Sequence, residues 1–140
     1  MRKEVLININ SKQVVGEKQD DLQLSVCGEM EEENGAVKLF YDESRTLNEK
    51  KVSTTLSLFE SGTAVIERSG SLSSRLVLEP GRRNNSLYST PYGDMMIGIF
   101  CNFVTNEPTK SGRKIVMDYT VDSNCHEISK NSVTIKIKEV

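Results

Sequence analysis

The chain has 140 residues, about the length of one domain, so residues 1–140 are expected to form a single unit. Its 18 Lys and Arg against 20 Asp and Glu give a net charge of −2, which argues against a dedicated nucleic-acid binder, since such proteins carry a basic excess or stripe. Two Ala beside 13 Val, 9 Ile and 9 Thr exclude a helical bundle and point to strands, where branched side chains fit a pleated surface.

Alternation with period two runs through almost the whole chain. Val5, Ile7 and Ile9 share one face of a first strand, and Leu22, Leu24 and Val26 one face of a second that continues towards Met30. Val37, Leu39 and Tyr41 mark a third strand, and Val52, Thr54, Leu56 and Leu58 a fourth. Ala64 and Ile66 mark the fifth, Leu76 and Leu78 the sixth, and Tyr88, Thr90 and Tyr92 the seventh. The eighth carries Ile97, Ile99, Cys101 and Phe103 on one face; the ninth carries Ile115, Met117, Tyr119 and Val121. Val133, Ile135 and Ile137 give the last strand, with Thr134, Lys136 and Lys138 on its other face. Turn-forming clusters separate the runs. Asn34-Gly35 is the sharpest, because a two-residue hairpin turn needs positive φ at both central residues. The polar stretch Ser44–Lys51 reads as a loop rather than a short helix.

About eight to ten short antiparallel strands in one chain must deal with their edges. Closure into a barrel removes them, and a two-sheet sandwich is the rival solution. The opening MRKEVLININ lacks the apolar run of about 7–15 residues that a secretory signal needs, and no stretch approaches the roughly 20 apolar residues of a membrane helix. Cys27, Cys101 and Cys125 are too few and too widely spaced for a disulfide framework. They read as reduced thiols of a cytosolic protein, at least two of them facing the core.

Several chemistries lack their residues. His126, the one histidine, adjoins Cys125, but neighbours in a strand face opposite ways, so no Cys–His catalytic pair is expected. No zinc-ligand spacing, haem ligand pair, phosphate loop or nucleophile elbow is present, and no cofactor, metal or catalytic residue is assigned. Glu29, Glu31, Glu32 and Glu33 read as solvated surface near a hairpin tip. Arg82-Arg83 and Lys110, Arg113 and Lys114 read as solvated basic loops rather than a nucleic-acid groove. Met95-Met96 is either an exposed apolar pair at a dimer seam or a pair with one member facing the core.

Tyr41-Asp42-Glu43, Thr54-Thr55-Leu56, Arg68-Ser69-Gly70, Tyr88-Ser89-Thr90-Pro91-Tyr92-Gly93 and Asp118-Tyr119 together resemble the YwiB-like family, from about residue 2 to about residue 138. Leu47-Asn48-Glu49-Lys50-Lys51-Val52 departs from it, standing where the family has a Gly-containing segment. The resemblance implies a small bacterial protein with an antiparallel, calycin- or lipocalin-like β-barrel, and it brings no established activity.

If the strands form an up-and-down meander, the third, fifth, seventh and ninth all leave at one end. Tyr41, Glu43, Arg68, Tyr88, Thr90 and Tyr119 then converge on one mouth, with Thr54 where the fourth strand begins. Parity turns Glu43 and Arg68 inward, because they alternate with Tyr41 and with Ile66. Two readings follow. The mouth binds a small molecule, with Arg68 clamping an anion and hydroxyls orienting it. Alternatively Glu43 and Arg68 form a buried ion pair that plugs a filled barrel, and the protein acts through a partner or as a homodimer. The first is the leading expectation, without enzymatic activity, nucleic acid or membrane.

Overall fold

The computed structural model describes residues 2–42, 52–70, 73–90, 93–124 and 126–140, with backbone alone at 88–90. Ten strands follow in chain order: β1 (Arg2–Val15), β2 (Lys18–Glu33), β3 (Ala36–Asp42), β4 (Val52–Leu58), β5 (Ala64–Gly70), β6 (Ser73–Leu78), β7 (Arg83–Thr90), β8 (Gly93–Pro108), β9 (Gly112–Ser123) and β10 (His126–Glu139). Each is antiparallel to its chain neighbours, and β1 also pairs with β10, which closes the ring. The fold is therefore the expected all-β barrel and not a sandwich. No helix among the described residues is long and apolar enough to cross a membrane. The segment 43–51, including the predicted Ser44–Lys51 loop, lies outside the described residues.

Alternation explains the wall. Side chains of successive strand residues point to opposite faces, so every second residue enters the lumen. Val37, Leu58, Ala64 and Leu78 form one inward row across β3–β6, and Leu39, Leu56, Ile66 and Leu76 form the next. On the far wall Ile7 and Ile9 stand opposite Ile137 and Ile135. All twelve are buried and belong to one continuous apolar cluster. The β2–β3 turn is the predicted one. Asn34 and Gly35 have φ of 51° and 79°, and the flanking Glu33 and Ala36 pair across the hairpin.

Two bulges break the parity. The register between β8 and β9 shifts between Cys101 and Phe103, so Asn102 is an extra residue. Phe103, expected on the face of Ile97, Ile99 and Cys101, is turned out and 43% exposed, while Val104 packs against the core. A second shift lies between Glu127 and Ser129 in β10, and it leaves Ile128 on the outside.

Ion pairs lace the outer face. Arg2 contacts Glu31 at 3.4 Å and Glu29 at 3.9 Å while lying over the Phe40 ring. Arg113 pairs with Glu32 at 3.3 Å, and its hydrogen bond holds that carboxyl below its ordinary pKa. Lys3 reaches Glu139 at 2.9 Å across the β1–β10 closure. Arg83 is a correction to the solvated-loop reading. It opens β7, and its Nε and Nη2 donate to both carboxylate oxygens of Asp122 at 2.9 and 2.6 Å. The fork lies against Gly98, whose missing side chain leaves the room it occupies.

Candidate functional site

The inner wall changes character towards the end where the odd-numbered strands leave. One row beyond Leu39 and Leu56, Tyr41 stands opposite Thr54, Thr54 opposite Arg68, and Arg68 opposite Ser74. The backbone continues the row from Ser74 to Tyr88 and from Tyr88 to Met95. Thus three of the predicted residues, Tyr41, Thr54 and Arg68, occupy adjacent strands in one register row. Steps of about 4.8 Å put the Tyr41 and Arg68 backbones roughly 10 Å apart with Thr54 between them. Thr54 is buried, Arg68 and Tyr41 are half-buried, and Tyr41 packs against the apolar core.

Tyr119 lies on the other wall of the same end. It stands opposite Cys101 on β8 and Asn131 on β10, and it too packs against the core. Around it the wall is again polar. Gln13 donates to Asn131 Oδ1 at 3.2 Å, and Asn131 Nδ2 donates to Ser129 at 2.9 Å. Both Asn131 and Ser129 are buried. Buried polar groups need partners, and here the strands supply them to one another.

A groove of about 480 Å³ opens on the outer side of the wall at this end, over β4, β5, β6 and the second half of β7 at Leu87. Arg68, Ser74 and Arg75 line it together with Thr55, Ser69 and Ser73. It exists because β6 and β7 part early. Their described ladder is Ser73 opposite Ser89 and Ser74 opposite Tyr88, and Arg75–Leu78 has no ladder partner in β7. The two buried side-chain polar atoms without a hydrogen bond among the described residues flank this parting, Ser74 Oγ on β6 and Asn84 Nδ2 on β7.

Of the remaining predicted residues, Glu43 lies outside the described residues, and Tyr88 and Thr90 are described by backbone only, Thr90 opposite Gly93. Ser74, Ser129 and Asn131 were not anticipated. Their signal was available, because each continues the inward parity of Leu76 and Leu78 or of Val133, Ile135 and Ile137 beyond the last apolar residue. Met95 and Met96 are both exposed, and Met96 stands opposite the exposed Leu87. Among the described residues no group of three or more His, Cys, Asp and Glu side chains is placed to hold a metal ion.

Residues 7–135 match a family described as a domain of unknown function, DUF1934. The chain belongs to the DUF1934 family. The crystal structure of the ywiB protein from Bacillus subtilis superimposes on the DUF1934 barrel with a TM-score of 0.86, at 16% sequence identity, covering 99% of this chain and 93% of that one. The resemblance carried by the tyrosine and threonine motifs is therefore correct, and so is the calycin-like barrel it implied. No curated protein matches the chain.

Two of the three thiols lie within the described residues. Cys101 is buried, and loss of water, reinforced by the Asp118 charge, pushes its pKa up. Cys27 is exposed, because it falls between the inward positions Val26 and Gly28. Cys125 lies outside the described residues. Only thiolates alkylate readily. Iodoacetamide should modify Cys27 in the native protein at least tenfold faster than Cys101, as read by peptide mapping. Equal rates would show that the β8 wall opens.

Proposed function

We propose that this barrel is a non-enzymatic binder of a small polar molecule, held at the end where Tyr41, Thr54 and Arg68 line one wall and Tyr119 the other. The observation that supports it is the change in the inner wall. The body of the lumen is apolar but for Ser86 opposite Ile97 and the β7 edge near it, while the rows nearest one end carry hydroxyls, an amide and a guanidinium. Pockets with apolar walls and a few placed polar groups are the usual form of a small-molecule site. Tyr88 and Thr90 would join the same rim from β7, and Glu43 from the end of β3. The reading invokes no cofactor, metal, nucleic acid or membrane, and takes the protein to be cytosolic, on its few and scattered cysteines.

The test is native mass spectrometry on gently purified protein, compared with the denatured mass. The wild type should carry an extra mass that denaturation removes. The Arg68→Ala variant should lose it while keeping its strand signal in circular dichroism. A bare wild-type mass together with a large loss of stability in Arg68→Ala would favour the second reading, a filled barrel acting through a protein partner or as a homodimer. The exposed Leu87–Met96 pair favours that reading, since an apolar pair on an outer wall suits another protein surface.

A further inference from the structure

We infer that the outer wall of β7 and β8 is a twofold interface through which two copies of this chain pair. Every residue it uses points outward, so it goes beyond the binding reading and stands whether or not the lumen holds a molecule. Leu87 stands opposite Met96, between lumen-facing positions on both strands, and Phe100 follows on the same outward face of β8. The bulge at Asn102 then turns Phe103 onto that face as well. In that order the side chains are 52%, 59%, 38% and 43% exposed. Elsewhere an outward aromatic is covered, for Phe40 on β3 lies beneath the Arg2 guanidinium at 4.0 Å. An apolar stripe left to water marks a place where another protein surface rests.

A second copy is the occupant that the charges favour. A twofold contact brings each face against itself, so a net charge at its centre would meet its own copy. At the centre of this stripe the charges cancel within one protomer. Arg83, opposite Phe100, gives Nε and Nη2 to both carboxylate oxygens of Asp122 at 2.9 and 2.6 Å. Gly98, opposite Asp122, leaves the room in which that guanidinium lies, so the clamp does not stand above the face. A partner of another kind would be selected by complementary charge, and the clamp has already neutralised the charges here. From Met96 to Phe103 the stripe runs roughly 20 Å, at about 3.4 Å per residue. Asn85, Asn102, Asp118 and Thr120 surround it, and Asn102 holds the Asp118 carboxylate at 2.6 Å. An apolar centre with a polar rim on this scale fits the ~800 Å² that each partner buries in a stable dimer. Sheets with apolar facing side chains stack in this way, about 10 Å apart.

The test is the oligomeric state, read by size-exclusion chromatography with light scattering over a dilution series. The wild type should show twice the 15.7 kDa mass of the chain. Phe100 lies near the middle of the stripe, where the twofold axis must pass, so its two copies meet. Phe100→Glu and Phe100→Lys should each weaken the dimer at least tenfold. An equal mixture of the two should regain it, because opposite charges then face each other across the axis. Such recovery cannot follow from a loss of fold, and each variant should keep its strand signal in circular dichroism. Met96→Glu, at one end of the stripe, should weaken the dimer as well. Val15→Glu, at an exposed apolar position on the β1–β2 hairpin, should leave it intact. A wild type that stays monomeric at the highest concentration would overturn the interface, and so would a dimer that survives both Phe100→Glu and Met96→Glu. A mass that keeps growing with concentration would mean head-to-tail contacts and overturn the twofold pairing. A monomer that co-purifies with a different protein, and loses it in Met96→Glu, would overturn the second copy as the occupant.

Discussion

Gly28→Ala should lower the stability of the barrel by about 3 kcal/mol, the upper range of overpacking in a filled interior. Gly28 lies on β2 opposite Val5, with its missing side chain directed at the place where β1, β2 and β3 converge. A Cβ there would collide with the Phe40 carbonyl oxygen, sit 2.7 Å from Ile7 Cδ1 and come within 3.2 Å of Tyr41 Cβ. The first of these is backbone in a hydrogen-bonded ladder and cannot swing aside. The β2–β3 pairing must spread to admit a single methyl group, and Tyr41 moves with it. In a domain of this size such a loss lowers the melting temperature by roughly 10 °C. Gly81→Ala is the control. Its Cβ would meet nothing within 4 Å, and only its φ of 78° opposes the change, at about 1 kcal/mol. Ile7→Val in the Gly28→Ala background removes one of the three obstacles and should recover part of the loss. Equal melting temperatures for Gly28→Ala and the wild type would mean that the β2–β3 spacing is looser than described.

Arg83→Ala should cost about 2 kcal/mol, more than its partly exposed side chain suggests. Its partner decides the size. The Asp122 side chain is 12% exposed, and a two-point charge-assisted bond to Arg83 satisfies both its oxygens. Removing the cation leaves a nearly buried carboxylate without that fork, and such a charge is expensive. Gly98→Ala should reproduce most of the effect from a different strand, because its Cβ would occupy the space of the Arg83 guanidinium and lie 2.6 Å from Nε. Both changes break the same clamp. Their energies should therefore fall short of adding, by about 1–2 kcal/mol in a double-mutant cycle. Full additivity in urea denaturation would show that Gly98 serves the strand and not the clamp.

The inward faces of β3, β4, β5, β6 and β9 were legible because nothing interrupts their alternation. Val37, Leu39 and Tyr41, or Ala64, Ile66 and Arg68, keep period two to the end of the strand. That regularity is what made the inward faces and common mouth of Tyr41, Thr54 and Arg68 readable before any coordinates, while their sharing one row is given by the register. Strand β8 was misread at one point. An extra residue at Asn102 flips every later side chain, and the local sequence Cys101-Asn102-Phe103-Val104 offers apolar residues on both parities, so periodicity has no means of detecting it. Cys27 obeys the pattern: cysteine is usually buried, but a place between Val26 and Gly28 on β2 outweighs residue type. The polar members of the site, Ser74, Ser129 and Asn131, were missed because hydroxyl and amide residues mark the end of an apolar run as readily as they mark a lumen. Only pairing to strands distant in sequence reveals that they are still inside. The Arg83–Asp122 clamp, 39 positions apart, has no local signature at all.

The closure of the ring also governs how the molecule comes into being. The Lys3–Glu139 bridge joins groups 136 positions apart, and the ladder beside it runs from Val5–Glu139 to Val14–Lys130. Until β10 has emerged from the ribosome, β1 and β9 are the two bare rims of an open sheet, each able to recruit a stray strand from a neighbouring chain. Hairpins can form as they are made, but the last seam must draw its edges together from the greatest separation in the sequence. Contacts of that range make folding slow. The interval between translation of β9 and the docking of β10 is therefore when this chain most depends on chaperones, and when crowding by copies of itself is most dangerous.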